Sequence, residues 1–359
     1  MTFEEARAQF PVLERLAYLN AGTFGPLSRV TAEALERHRR RDVEEGRAGA
    51  AYWKGLMEAR EELRARLARL LRVAPETVAL TGSTTDGCNV VLAGLGLGPD
   101  DEIVTTDVEH PGLLGPLQAS AARLRVARVR ERPADEALAA ILAELTPRTR
   151  LLALSHVAWS TGNVLPVAEL KAETGLPVLV DGAQSIGAIP VDVTAFDYYT
   201  VSGQKWLCGP DGTGALYVAA PERLRLALPM TFAFAGTGPD GSLEPKPGAA
   251  RFDTSWLGPG QVEGFAAALG GAPEWRFERA LEQARRAREQ LAGRVEVVTS
   301  PGQATLVTFR IEGDTAEVAA RAHEQGVVIR DIPGTGWLRA SIGWWTSDED
   351  VERLVAALG

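Results

Sequence analysis

Lysine is scarce in this chain. Among its 38 basic residues only Lys54, Lys171, Lys205 and Lys246 carry an amine, so amine chemistry has four candidates. Lys205 follows the run Asp197-Tyr-Tyr-Thr-Val-Ser202 in Ser202-Gly-Gln-Lys205-Trp206, which places it at the mouth of a buried strand. Lysines normally occupy solvated surface. Desolvation lowers the pKa of an amine and makes it the nucleophile that a Schiff base requires. The other three suit this poorly: Lys171 lies mid-helix, Lys246 between prolines and Lys54 at the Trp53-Lys-Gly55 junction. Taken alone, Lys205 reads as a tethered surface amine. Two further segments change that reading.

In open α/β sheets, ligands bind outside the carboxyl ends of the strands. After Leu176-Pro-Val-Leu-Val180 comes Asp181-Gly-Ala-Gln184. A carboxylate there by itself suggests a helix cap or a metal ligand. Beside an amine it could instead hold a pyridinium nitrogen protonated and make a cofactor ring an electron sink, with Gln184 on the ring's phenolic oxygen. After Val78-Ala-Leu-Thr81 comes Gly82-Ser-Thr-Thr-Asp-Gly87. Glycine, hydroxyls and free N–H groups at a helix start make a phosphate cradle, although hydroxyl-rich caps are common. His110, in Asp107-Val-Glu-His-Pro111, could stack on a planar ring or be a satisfied loop residue. His156 falls in an apolar run and reads as core, and His38 and His323 read as surface. No HExxH or CxxC spacing occurs, so no metal is expected. A G-x-S-x-G elbow and a Walker lysine are also missing.

Short apolar runs alternating with helical patterns position these residues, which predicts repeated βα units on a parallel sheet. Seven strands are expected, at Val78–Thr81, Glu102–Thr106, Arg123–Val129, Leu151–Val157, Pro177–Asp181, Tyr198–Ser202 and Gly214–Val218. They are continuously apolar, as strands covered on both faces should be. Helices are expected near Ser28–Glu45, Leu56–Leu71, Asp86–Leu95, Asp135–Leu145 and Val167–Thr174. Pro, Gly and polar residues crowd Ala235–Ser242, marking a long loop. Beyond it, helices Gln261–Leu269, Pro273–Leu291, Thr315–Gln325 and Ser347–Leu358 alternate with strands Val295–Val298, Thr305–Arg310, Val327–Ile329 and Leu338–Ser341. The fold class is therefore α/β, with a smaller α+β domain after the sheet. Residues 18–235 are expected to form the large domain, and 1–17 with 236–359 the small one.

A chain of 359 residues suffices for two domains. Its net charge of −9 argues against nucleic acid or an anionic membrane as partner. No apolar run approaches the roughly 20 residues of a membrane span. Met1-Thr-Phe-Glu-Glu-Ala-Arg7 lacks the apolar core of a secretion signal. Two cysteines, Cys88 and Cys208, build neither a disulfide framework nor a metal cage. A reducing, cytoplasmic setting is expected.

With these residues in hand, the chain resembles the class V aminotransferase family of fold-type I pyridoxal 5′-phosphate (PLP) enzymes. The family includes cysteine desulfurases, cystine C–S lyases, kynureninase-like enzymes and isopenicillin N epimerase-like proteins. The resemblance runs from Tyr18-Leu-Asn-Ala-Gly22 to Arg339-Ala-Ser-Ile-Gly343. It is most specific at Val180-Asp-Gly-Ala-Gln-Ser-Ile-Gly-Ala-Ile-Pro-Val-Asp192, at Ser202-Gly-Gln-Lys205 and at Gly209-Pro-Asp-Gly-Thr-Gly-Ala-Leu-Tyr217. It implies PLP as cofactor, a small amino acid as substrate and a homodimer with shared active sites. Carried over, Lys205 forms the Schiff base, Asp181 pairs with the ring nitrogen, Gln184 with the phenolic oxygen, and His110 stacks on the ring. Thr84, Thr85, Ser202 and Gln204 bind the phosphate, joined by Thr254 or Ser255 from the partner subunit. Arg339 clamps the substrate α-carboxylate in the bidentate manner of guanidinium. Asn20, Ala21 and Gly22 line the entrance, together with Trp159.

The departures carry information. Gln204 stands where the family often has histidine, so a titratable group is lost. Trp159 stands where persulfide-forming desulfurases have asparagine, and no cysteine lies between Arg310 and Arg339. The Trp159-Ser-Thr-Gly162 run is closer to the C–S lyases and epimerase-like members. The leading expectation is β-elimination from cysteine, cystine or a related amino acid without a persulfide cysteine. Transamination and epimerisation are the alternatives. The retained Lys205, Asp181 and Arg339 argue against an idle PLP-fold scaffold.

Overall fold

The computed structural model describes residues 1–254 and 256–358. Its main sheet contains all seven expected strands: β1 Val78–Thr81, β2 Glu102–Thr106, β3 Arg123–Ala127, β4 Thr149–Ser155, β5 Val178–Asp181, β6 Tyr198–Ser202 and β7 Gly214–Val218. The spatial order is β1-β7-β6-β5-β4-β2-β3. Every pairing is parallel except the two made by β7. Alternate residues feed two separate cores. Leu152, Leu154, Val178 and Val180 pack with Leu63, Leu67 and Phe265, while Leu151, Ala153 and Leu179 pack with Val91, Leu113 and Leu117. Each fully buried aliphatic side chain contributes about 1.5–3 kcal/mol, so a sheet apolar on both faces is locked between its helices.

The expected strand from Arg123 stops at Ala127 rather than Val129. The N–H groups of Val129 and Arg130 leave the ladder and donate to Asp107 Oδ1 (2.8 and 3.0 Å). The helix expected from Pro273 starts at Arg276, whose N–H donates to Pro273 O across a turn (3.3 Å). His38 is not a surface residue. It is buried on helix Arg29–Glu44 because helix Pro259–Gly270 covers it, with Nδ1 2.9 Å from Glu263 Oε1.

A four-stranded antiparallel sheet forms the second layer, from β8 Glu296–Val297, β9 Leu306–Arg310, β10 Arg330–Ile332 and β11 Trp337–Ser341, ordered β8-β9-β11-β10. Helix Asp348–Ala357 starts at Ser347 in a capping box with Asp350, and Asp350 also pairs with Arg7 (2.8 Å). The chain start is built into this second layer: Ala17–Tyr18 pairs in parallel with Val327–Val328, and Ser341 N–H donates to Leu19 O (2.7 Å). The boundary expected at 235/236 lies before segments that still pack on the large sheet. Gly248–Phe252 contacts β1, and helix Pro259–Gly270 lies against helices Arg29–Glu44 and Gly49–Leu71.

Candidate active site

The topology brings the three predicted segments together. Ser155, Asp181 and Thr200 are neighbours in register on β4, β5 and β6. Gly214 of β7 pairs with Ser202 on one side and Thr81 on the other. The turn after β1, the loop after β5 and Lys205 after β6 therefore open at the same edge.

Asp181 is buried, with Oδ1 accepting from Ala183 N–H (2.9 Å) and Thr200 Oγ1 (3.5 Å). Its Oδ2 has no protein donor among the described residues. Burial raises its pKa, and the Lys205 ammonium opposes that rise. Lys205 is pushed down to about 8, chiefly by burial, with Arg339 and Arg330 adding to the effect and Asp181 countering it. Between pH 8 and 10.5 the unfolded chain therefore holds the more protons at this lysine, and stability rises across that window.

His110 caps helix Pro111–Ala119. Its Nδ1 accepts from Gly112 N–H (3.0 Å), which leaves the other ring nitrogen protonated in the neutral form. Burial and three cations hold its pKa down at about 4, so the ring stays neutral at working pH. It meets the Trp159 ring edge to face, with centroids 5.2 Å apart. Gln184 is buried and fixed at both ends of its amide: Nε2 donates to Gly22 O (2.9 Å), and Oε1 accepts from Trp206 Nε1 (3.0 Å).

Helix Thr84–Leu95 begins at Ser83, whose hydroxyl accepts from Asp86 N–H (3.1 Å), so Thr84 and Thr85 occupy its first turn. Ser202 Oγ donates to Gln204 Oε1 (2.8 Å), joining the two residues expected to share a phosphate. Thr254 reaches this turn from within its own chain, where Gly82 N–H donates to its Oγ1 (3.3 Å). The expected role of Ser255 lies outside the described residues. Asp253, just before Thr254, sits in a buried cage. It takes bonds from Arg60 (2.8 Å), from both terminal nitrogens of Arg64 (3.0 and 2.8 Å) and from Leu80 N–H (2.8 Å).

Arg339 of β11 is buried, and its Nη1 donates to Trp159 O (2.7 Å). Its Nε is buried without a partner, a donor that an anionic ligand would satisfy. Burial, and then Arg330, pull its pKa down to about 9. Asn20 Oδ1 accepts from Thr23 Oγ1 (2.9 Å), and Ala21 is fully buried behind it.

Two residues escaped sequence reasoning. Arg330 pairs directly across from Arg339 in the ladder and donates to Thr23 Oγ1 (3.0 Å). Nothing local distinguished it from the chain's many surface arginines; only the β10–β11 register places it here. Glu109, beside His110, is buried and pushed up to about 7 by desolvation, while Ser155 Oγ (2.5 Å) and Thr106 Oγ1 (2.6 Å) donate to it.

The arrangement offers a desolvated amine, a buried carboxylate with one uncommitted oxygen, a hydroxyl-lined helix start and a buried guanidinium with an orphan donor. These groups fit PLP and an amino acid. The model of the family described as "Aminotransferase class-V" matches residues 17–354. The chain belongs to that family. It is 32% identical over 397 residues to isopenicillin N epimerase of Streptomyces clavuligerus, covering 99% of this chain and 97% of the relative. It is 29% identical over 405 residues to a probable cysteine desulfurase of Xylella fastidiosa strain Temecula1, covering 99% and 94%. Among solved structures, the cystine C–S lyase C-DES, in complex with its reaction product cysteine persulfide, superposes with a TM-score of 0.91 at 31% identity, covering 98% of this chain and 99% of that one. A C-DES mutant with glycine covalently linked to PLP gives a TM-score of 0.92 at 31% identity, covering 98% of both chains. This class V enzyme uses PLP, in the fold-type I architecture. Among the described residues, no helix is long and apolar enough to cross a membrane.

Gly22 tests the Arg339 contact. A β-carbon there would lie 2.8 Å from Arg339 Nη2 and 2.9 Å from Ser341 Oγ. Gly22→Ala should displace the guanidinium at a cost of about 1–3 kcal/mol in substrate binding, roughly a 5–150-fold rise in KM. The cofactor absorption band should stay intact. An unchanged KM would show that the loop gives way instead.

Proposed function

We propose that this enzyme is a lyase that cleaves the Cβ–S bond of a disulfide amino acid such as cystine, with Lys205 as its cofactor-attachment residue. The Arg330–Arg339 pair carries the reading. One guanidinium suffices for an α-carboxylate, whereas two in register suit a substrate with a carboxylate at each end. The cysteines support elimination over persulfide relay. Cys88 and Cys208 are buried, and desolvation raises both thiols, Cys88 well above its usual value, so neither presents a thiolate. The likeness to C-DES points the same way.

In this reading Arg339 fixes the α-carboxylate, and Arg330 the distal one. Lys205 Nζ removes the proton from Cα and can return one. Asp181 Oδ2 would hold the proton on the ring nitrogen, and neutral His110 would pack on the ring without competing for it. The second N–H of the Gln184 amide, whose first goes to Gly22 O, would be the donor to the phenolic oxygen. Thr84, Thr85, Ser202 and Gln204 would hold the phosphate, and the segment of Thr254 and Ser255 would supply one further hydroxyl from the second subunit. When bound, PLP supplies an electron-withdrawing ring that accepts charge from Cα. Loss of the Cα proton and of the β-sulfur as cysteine persulfide would leave 2-aminoacrylate, whose imine tautomer water hydrolyses to pyruvate and ammonia.

A homodimer with shared active sites belongs to the same reading. Trp53, Phe232 and Trp256 form an aromatic cluster in which both tryptophans are more than half exposed, as an interface would leave them in one isolated chain. Two reduced, buried cysteines suit a cytoplasmic setting. The division into a large domain, residues 18–235, and a small one, residues 1–17 with 236–359, belongs to the same reading.

Incubation of the PLP-loaded enzyme with cystine should yield pyruvate, ammonia and cysteine persulfide. Arg330→Leu should raise KM for cystine by about 10–100-fold and leave KM for a monocarboxylate analogue such as S-methylcysteine within about threefold. Equal losses on both substrates would sink the two-carboxylate argument. The 32% identity to isopenicillin N epimerase favours epimerisation as a second reading. Solvent deuterium at Cα with chirality lost, and no pyruvate, would select it. Accumulation of pyridoxamine phosphate would select transamination.

The same amine sets a pH dependence. Cofactor capture by the cofactor-free protein needs neutral Lys205, whose pKa is about 8. The capture rate should rise about tenfold per pH unit below pH 8 and level off above it. A stopped-flow rate still climbing at pH 10 would exclude Lys205 as a desolvated nucleophile.

A further inference from the structure

Behind Lys205 lies a cavity of about 890 Å³. It falls in the range of roughly 300–1,000 Å³ that holds small organic ligands. Its wall is apolar, with Phe10, Ile186, Trp206, Leu207, Leu269 and Trp344 among the lining. Its charged lining is one-sided: Arg66, Arg69, Arg72 and Arg276 stand against the single carboxylate of Asp192.

That asymmetry is not consumed by internal pairing. Asp192 is engaged as the cap of the next turn, accepting from Thr194 N–H (3.0 Å) and Thr194 Oγ1 (2.6 Å). Arg66 is tied to Glu62 (2.6 Å). Among the described residues, Arg69, Arg72 and Arg276 have no carboxylate within ion-pair distance. Arg276 is half-buried, bonded only to Pro273 O (3.0 Å) and stacked over Phe277 at 4.3 Å. In a chain of net charge −9, a concave, apolar-walled site with four guanidiniums against one carboxylate, and Arg72 and Glu274 as the nearest counter-charge partners of Asp192 and Arg276, carries a charge opposite to that of the general surface.

The cavity is distinct from both surfaces already assigned. Arg66, Arg69 and Arg72 lie at the C-terminal end of helix Gly49–Leu71, whereas Trp53 of the exposed aromatic cluster lies in its first turns. The sixteen residues from Trp53 to Arg69 span about 24 Å at 1.5 Å each. The predicted catalytic groups are on the other side of Trp206, whose indole N–H points to Gln184.

We propose that this cavity is a second binding site, for an amphipathic organic anion with an acidic head on the arginines and an apolar chain or ring against the tryptophan wall. Carboxylate and phosphate heads both match guanidinium geometry. The apolar body separates such a ligand from the catalytic site's small amino acid.

Isothermal titration of the PLP-loaded enzyme with dodecanoate, dodecyl phosphate and uncharged dodecanol tests this. Saturable binding of one or both anions at one per chain is expected, with dodecanol at least tenfold weaker. Which anion binds more tightly identifies the head group. The rim variant Arg69→Glu, an exposed substitution that folding should tolerate, should weaken the anion at least fivefold. Arg276→Gln should weaken it further. Arg339→Lys in the catalytic site should leave the affinity unchanged. No saturable binding, equal binding of dodecanol, or affinity lost in Arg339→Lys but kept in Arg69→Glu would each overturn the proposal.

Discussion

Lys205→Ala, loaded with PLP, is expected to lose the visible absorption band of the lysine-bound cofactor. Turnover of cystine should fall by at least about 10⁴-fold, since one residue then fails both as covalent attachment point and as proton carrier. Stability should not fall with it. Lys205 makes no ion pair among the described residues, and its amine is desolvated enough to lower its pKa to about 8. Removing it relieves that desolvation and gives up a longer-range attraction to Asp181, two effects of opposite sign. The decisive comparison is absorption and turnover against thermal melting on one preparation. A variant that keeps the band would move the attachment point to one of the other three lysines. Those are poor substitutes: Lys171 is committed to Asp197 (2.7 Å), Lys54 lies on a solvated helix face near Glu58, and Lys246 leans over the Phe232 ring.

The second large effect lies outside the chemistry. Asp253→Asn should destabilise the protein by about 3–5 kcal/mol, because it leaves the Arg60 and Arg64 charges buried without their shared anion. The contrast with the surface is sharp: exposed pairs such as Arg285–Glu289 are screened by water and contribute far less. The same substitution disturbs the residue before Thr254, whose hydroxyl touches the Gly82 turn (3.3 Å), so PLP affinity should fall as well. Thermal melting should drop by about 5 °C for a chain of this size. A drop of less than a degree, with PLP affinity unchanged, would mean that water reaches the cage and screens it.

Much of the site was legible without coordinates, for a physical reason. Short apolar runs ending in Asp181, Ser202 and Thr81 dictate buried strands, and the three run in the same direction, Thr81 across the antiparallel β7, which puts their following residues at one edge. Lys205 was identifiable because lysine is rare here and this one follows a buried strand. Helix starts at Ser83 and Ser347 were readable because a hydroxyl cap is a local device. The strand end at Ala127 was not, since Asp107 captures the next N–H groups from over twenty residues away.

The sequence by itself determined the fold class, the candidate cofactor lysine and its carboxylate, since each depends on a residue type at a strand end. Beyond Arg339, which the family resemblance singled out, the arginines that matter emerged only from tertiary structure. Arg330 joins Arg339 only through antiparallel register, Arg60 and Arg64 meet Asp253 across nearly 200 residues, and Arg276 joins Arg69 and Arg72 only where three separate elements enclose a cavity. In a chain that uses arginine for almost all its positive charge, composition hides the functional ones. Lys205, the exception in type, could be found by reading. Arg330, which stands beside Arg339, required the geometry.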